Sequence, residues 1–306
     1  METLTPAPIL LFVYNRPEHT LHCVESLRAN ALAAQSPLYV YADAARSEAD
    51  RPAVDAVRDY IRTISGFQSV TVIERDHNWG LAANIIDGVT TRVEQYGRVI
   101  VLEDDLVVAP HFLEFMNDAL TVYHDDERVG HVYACEFTGD PALPPTFLVS
   151  WIGSWGWATW DRAWRFFNPD GADLLRQLQE RRLTHRFDFD GAYGFTRMLR
   201  HQVQGRNNSW AIRWNATLFL RDMLSVCAGR SLVQNMGFDG SGTHCGDVAI
   251  YTAQLFPNRL SVDHLPIEEN QEARAAIARY YRRTNSFRAK AIRRLRREWH
   301  RLWGRK

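Results

Sequence analysis

Five short apolar runs divide the first 140 or so residues, and each gives way to an amphipathic stretch long enough for a helix. Residues 9–14 (ILLFVY), 38–42 (LYVYA), 69–73 (SVTVI), 98–102 (RVIVL) and 130–135 (GHVYAC) read as strands. Residues 18–28, 51–64, 80–95 and 111–123 read as the helices between them. Runs that are apolar throughout suit strands covered on both faces, and strands joined through helices lie parallel. Pro17 fits the first turn of its helix, where a missing N–H leaves no bond unmade. Ligands of such sheets bind beyond the carboxyl ends of the strands. Asn15, Asp43, Asp76 and the acids after the fourth strand are therefore predicted to share one edge.

Beyond residue 145 the texture changes. Five tryptophans fall within 151–164, a polar helical stretch covers 172–186, and an aromatic segment (FDFDGAYGF) follows at 187–195. A second Trp-rich run occupies 208–214, and a glycine-rich loop, NMGFDGSGTHCG, occupies 235–246. There is no internal repeat and no low-complexity linker, so the second half is predicted to be integrated with the first.

The chain has 306 residues, 46% of them hydrophobic and 24% charged, which suits a soluble globular protein with a core of its own. No stretch approaches the ~20 apolar residues that span a bilayer. The N-terminus lacks the basic region of a signal peptide. The four cysteines form no CxxC pair, which indicates neither a zinc knuckle nor a disulfide framework and suits a reducing, cytoplasmic setting. The 36 basic and 36 acidic residues cancel, but not locally. Residues 288–306 hold nine Lys/Arg and one acid, so the rest of the chain carries a net charge of −8.

The most informative motif is VIVLEDDL at 99–106, where an apolar strand runs into Glu103, Asp104 and Asp105. Three adjacent carboxylates at the edge of a core raise one another's pKa unless positive charge neutralises them. A divalent cation bridging phosphate oxygens supplies that charge, and hard oxygen ligands suit Mg²⁺ or Mn²⁺. A merely charged loop after a strand is the plain alternative.

On these residues the chain resembles glycosyltransferases of the GT-A fold, whose α/β sheet carries a short acidic "DxD" motif. It is similar more narrowly to the N-acetylglucosaminyltransferase I type (family 13), with its EDD followed by a hydrophobic residue, and to bacterial family-2-like enzymes. The resemblance spans about residues 8–250 and implies a mixed, mostly parallel α/β sheet flanked by helices. Residues 1–140 would form the nucleotide-sugar-binding half, 141–265 the acceptor side with the donor loop, and 266–306 a basic helical tail.

By this resemblance Asp105 would be the Mn²⁺ ligand, with Glu103 and Asp104 facing sugar hydroxyls and the ribose. Asn15 and Arg16 would wrap the nucleotide base, Asp43 would contact uracil or ribose, and Asn78 would open an NxGLA-type turn; the last two also suit a cap or a tight turn. The loop at 237–246 is similar to the family's late donor-closing loop. Ser241 and Thr243 would bond the diphosphate, and His244 would ligate the metal, bond the diphosphate or steady the loop. Trp157 belongs to a glycine–aromatic segment that would line the donor sugar. The family's base stands just before a Trp, but here Asn208-Ser209-Trp210 carries no acid, which leaves Asp190 and Asp239 as candidate bases. Arg213 would pair with a donor phosphate or a core acid.

The implied activity is metal-dependent, inverting transfer of a hexosyl or N-acetylhexosaminyl unit from a nucleoside-diphosphate sugar, UDP-sugar first, to a glycan or lipid-linked acceptor, as in building a bacterial surface polysaccharide. The alternatives are a sugar-phosphate nucleotidyltransferase and a non-catalytic carbohydrate-binding protein. Apolar residues recur at three- and four-residue intervals in the tail, with arginines between them, as in an interfacial helix on an anionic cytoplasmic leaflet. No recognition motif for nucleic acid accompanies the charge.

Overall fold

The structure is a computed structural model, and it describes residues 5–237 and 254–285. Its centre is an eight-stranded sheet that follows the apolar runs. Strands β1 (Ile9–Val13), β2 (Pro37–Ala42), β3 (Ser69–Glu74) and β4 (Arg98–Glu103) pair in parallel, in the order β3-β2-β1-β4. Helices α1 (Pro17–Arg28), α2 (Arg51–Ile61) and α3 (Leu81–Tyr96) connect them. α3 ends at Gly97, whose φ of 73° gives the left-handed turn that closes a helix.

Beyond β4 the order runs β8-β6-β9-β7, built from β6 (Val129–Tyr133), β7 (Thr146–Val149), β8 (Trp157–Trp160) and β9 (Leu224–Ala228). β8 is antiparallel to both β4 and β6, β9 is parallel to β6, and β7 is antiparallel to β9. The sheet is therefore mixed and mostly parallel, as expected. Strands from beyond residue 145 are woven into it, with β8 inserted between the two apolar strands β4 and β6. A second, two-stranded sheet pairs β5 (Leu106–Val108) antiparallel with β10 (Val233–Asn235).

The two-residue period of the strands sorts their side chains into two layers. Leu10, Phe12, Tyr39, Tyr41, Val99 and Val101 pack with Ala82, Ile85 and Val89 of α3. Ile9, Leu11, Leu38, Val40, Ile100 and Leu102 pack on the opposite face with α1, α2 and α4 (Phe112–Val122). Helices thus cover both faces. From β1 the chain proceeds outward to β2 and β3 and then returns through α3 to β4 on the other side of β1. The strand order reverses there, leaving a crevice outside the carboxyl ends of β1 and β4.

The tryptophans are mostly core. Trp157 stacks on Trp210 at 4.9 Å between ring centroids, and Trp164 packs against Trp214 at 4.9 Å and Phe167 at 4.7 Å. His131 sits beneath them, fully buried, accepting from Trp214 Nε1 at 3.3 Å and contacting the Gly153 carbonyl at 3.0 Å. Burial pushes its pKa down to about 3, so it is a neutral ring that ties β6 to the 151–155 segment. The helix α10 is described over Gln271–Asn285, and the basic run at 288–306 lies outside the described residues.

Candidate functional site

At the crevice β1 delivers Tyr14, Asn15 and Arg16, and β4 delivers Glu103, Asp104 and Asp105. Arg16 is an N-terminal flanking residue of α1, fixed by Pro17 immediately after it. Its guanidinium forks between the two aspartates, bonding Asp104 Oδ1 through Nη2 and Asp105 Oδ2 at 3.1 Å through Nη1. The Tyr14 backbone N–H donates to Asp104 Oδ2 at 3.3 Å. The expected edge therefore exists, with Arg16 and the acids in direct contact.

One cation does not neutralise three acids. Burial, with Asp105 and Asp104 beside it, pushes the Glu103 carboxyl up to about 8, against the opposing pull of Arg16. Burial likewise raises Asp104 to about 6, opposed by Arg16 and reinforced by Asp105. Asp105 Oδ1 is buried and has no hydrogen-bond partner among the described residues. No group of three or more potential metal-ligating side chains converges among those residues. Together these suit a divalent cation held by one protein carboxylate and completed by oxygens of a ligand, the usual arrangement for Mg²⁺ on phosphates.

Strand β10 brings the start of the glycine-rich loop to the same corner. The Met236 N–H donates to the Asp105 carbonyl at 2.7 Å. A Cβ on Gly237 would lie 2.3 Å from Asp105 Oδ2 and 3.1 Å from Arg16 Nη1, so any larger residue there has to displace the ends of those side chains. Asp239, Ser241, Thr243 and His244 lie outside the described residues.

The Asp43 carboxylate is buried and accepts four hydrogen bonds. They come from the backbone N–H of Ala44 (2.9 Å), Trp79 (2.8 Å) and Gly80 (2.8 Å) and from Asn78 Nδ2 (3.1 Å). A carboxylate has about four acceptor sites. Asp43 is thus saturated and acts as the pin that holds the 78–80 turn at the cleft, with Asn78 spending its remaining donor on the Ala44 carbonyl. The same turn needs Gly80, with φ 74° and ψ 158°, before α3 begins. Asn15 donates to Asp50 at 3.2 Å.

All these groups line one open cleft of about 2260 Å³, whose far wall is formed by the 151–155 segment, the 188–198 region and the start of α9 (Trp210–Leu220). A single-ligand pocket takes roughly 300–1,000 Å³, so this cleft has room for two substrates. Three expectations are corrected here. Trp157 has no exposed surface and does not line the cleft; β8 turns it into the core, while Trp151 and Trp155 face the opening. Arg213 is buried and spends its guanidinium on the carbonyls of Ser209 and Pro169 and on Asn208 Oδ1, tying the loop at 168–169 to α9. Asp190 is drawn off by Arg274 at 3.2 Å and does not line the cleft.

Asp188, two residues earlier, does line it. Its Oδ1 accepts from the Thr196 N–H at 2.6 Å, at the start of α8 (Phe195–Val203), and burial raises its pKa from the ordinary aspartate value. Sequence reading passed over it because Asp188 and Asp190 stand in the same aromatic segment. The choice between them depends on left-handed residues Phe189 and Asp190, with φ of 51° and 54°, that turn one toward Arg274. Arg46, Arg197, His201 and Arg206 also line the cleft and carry no motif that would have singled them out.

No protein-family profile matches the chain, and no curated protein sequence does. Among solved structures, the chain is similar to residues 1–349 of TarS from S. aureus, with TM-score 0.42 and 10% identity over 76% of this chain and 61% of that one. A second TarS structure gives TM-score 0.30 and 14% identity over 45% and 23% of the two chains. Mouse xyloside xylosyltransferase 1 in its apo form gives TM-score 0.37 and 14% identity over 71% and 83%. The chain spans about three-fifths of the TarS fragment it matches.

Proposed function

We propose that this chain is a GT-A-type glycosyltransferase that moves a sugar from a nucleoside-diphosphate donor, UDP-sugar first, to the hydroxyl of a glycan or lipid-linked acceptor. The observation that carries the reading is the under-neutralised acid corner at the strand-order reversal. There Asp105 keeps one buried oxygen without a partner, inside a cleft large enough for two substrates. Asn15 and Arg16 are assigned to the nucleotide, and Glu103 and Asp104 to ribose and sugar hydroxyls. Asp105 Oδ1 is the oxygen that would hold Mn²⁺ or Mg²⁺, which when bound neutralises a departing diphosphate.

Arg16 lies within reach of the same region and supplies a fixed positive charge to it. Asp188 is assigned as the base. It takes the proton of the acceptor hydroxyl as that oxygen bonds to the anomeric carbon and the diphosphate oxygen leaves from the opposite face, which inverts the centre. A pKa raised by burial suits that role better than an ordinary exposed carboxylate. The basic tail at 288–306 is assigned to an anionic membrane surface on its nine cations and the apolar residues that recur between them at three- and four-residue intervals. Incubation with UDP-, GDP- and dTDP-sugars and Mn²⁺ tests the reading through release of nucleoside diphosphate. Pyrophosphate release would instead indicate a nucleotidyltransferase.

A further inference from the structure

Residues 191–221 contain no Asp or Glu in 31 positions, yet they hold five arginines and His201, within a chain whose residues before 288 carry a net charge of −8. Two of those arginines are spent internally. Arg213 bonds the carbonyls described above, and the Arg221 guanidinium lies 3.6 Å over the Phe166 ring. Arg197, His201 and Arg206 differ: each lines the cleft, and none of their side chains has a hydrogen bond or ion pair among the described residues. Of the other two arginines that line the cleft, Arg16 is committed to two aspartates, and Arg46 stands alone rather than in a cluster.

The local geometry gathers the three. Arg197 and His201 are four residues apart on α8 and so share a face. Gly205, with φ 69°, turns the chain at the end of that helix, and the Arg206 N–H donates to the His201 carbonyl at 2.9 Å. Arg206 therefore starts next to His201. The result is a cationic wall in the same cleft as the acid corner.

We propose that this wall binds a phosphate group carried by the acceptor. The inference rests on the glycosyltransferase reading and names the chemical class of its second substrate. A carboxylate keeps its acceptor sites in one plane, whereas a phosphate offers oxygens in several directions and can meet two guanidinia and an imidazole at once. A wall of one sign inside a cleft also concentrates anions from solution. Arg200, which with Arg197 lines the adjoining hollow beside Asp188, lowers the pKa of that acid and links the wall to the assigned base.

Calorimetric titration of the full chain with inorganic tripolyphosphate tests this without needing turnover. The Arg197→Gln/Arg206→Gln double variant, altered only at exposed side chains, is expected to bind about tenfold more weakly or worse. Arg197→Lys/Arg206→Lys is expected to keep most of the affinity. Equal binding by the Gln double variant overturns the proposal, as does a loss confined to Arg16→Gln, which would put the phosphate at the donor end. Comparing geranyl diphosphate with pyrophosphate then separates the sources. Tighter, arginine-dependent binding of the former assigns the phosphate to a lipid carrier, and equal arginine-dependent binding assigns it to a polymer or free phosphate. If phosphate binding follows the arginines but no nucleoside diphosphate is released from any donor, the activity reading fails and the anion site stands.

Discussion

At the scale of single residues, the site combines saturated and unsaturated carboxylates, and the difference decides their roles. Asp43 has four donors and no capacity left, so it holds a turn. Asp43→Ala strands three backbone N–H groups and one amide, and is expected to cost about 2–4 kcal/mol of stability in urea unfolding. Glu103 is the opposite case. An acid whose pKa is higher folded than unfolded binds more protons in the folded state, so stability declines as pH rises. That decline should run from the ordinary carboxylate range through about 6 for Asp104 and about 8 for Glu103. Glu103→Gln is expected to raise the melting temperature at pH 8 and to flatten its fall between pH 5 and 8; an unchanged slope would remove Glu103 as the source. The edge shared by Asn15 and the acids was legible in sequence, because both follow directly on strands that must end there; the contact of Arg16 with the acids was not, since the motif gave Arg16 to the nucleotide base. Nor were the bonds of Asp43, since three of its four donors lie 35 to 37 residues away in a turn that only tertiary packing defines.

At the scale of elements, the βα alternation was readable because strands buried on both faces are uniform apolar runs. Strand β8 was not, since a Trp-rich stretch reads equally as cleft lining or as core. Only Trp157 lies in the strand, where it is buried, while Trp151 and Trp155 stand in the irregular segment before it and line the cleft. The short β5–β10 pairing was also invisible, because it joins segments some 125 residues apart. It nonetheless sets Gly237 against Asp105, which yields a sharp test. Gly237→Ala must displace Asp105 Oδ2 or Arg16. It is expected to lower nucleoside diphosphate release by about tenfold or more while urea unfolding changes by less than about 1–2 kcal/mol. Full activity would show that the corner is not built as described.

At the scale of the whole molecule, charge is segregated. Acids gather at the carboxyl ends of β2 and β4 around Arg16 at the end of β1, arginines without a hydrogen bond or ion pair among the described residues line another wall of the cleft, and the basic run follows α10 in sequence. Deleting 288–306 removes nothing from the described core, which extends to Asn285. The truncated chain is expected to move from the membrane to the soluble fraction with its melting temperature unchanged, and an unaltered distribution would refute the membrane assignment. The central claim is sugar transfer at the Asp105 corner. Release of nucleoside diphosphate from a panel of UDP-, GDP- and dTDP-sugars with Mn²⁺ measures it directly. Turnover with one donor that falls on the order of 100-fold in Asp105→Asn is the expected result. Pyrophosphate as the product, or turnover that Asp105→Asn leaves intact, would contradict it.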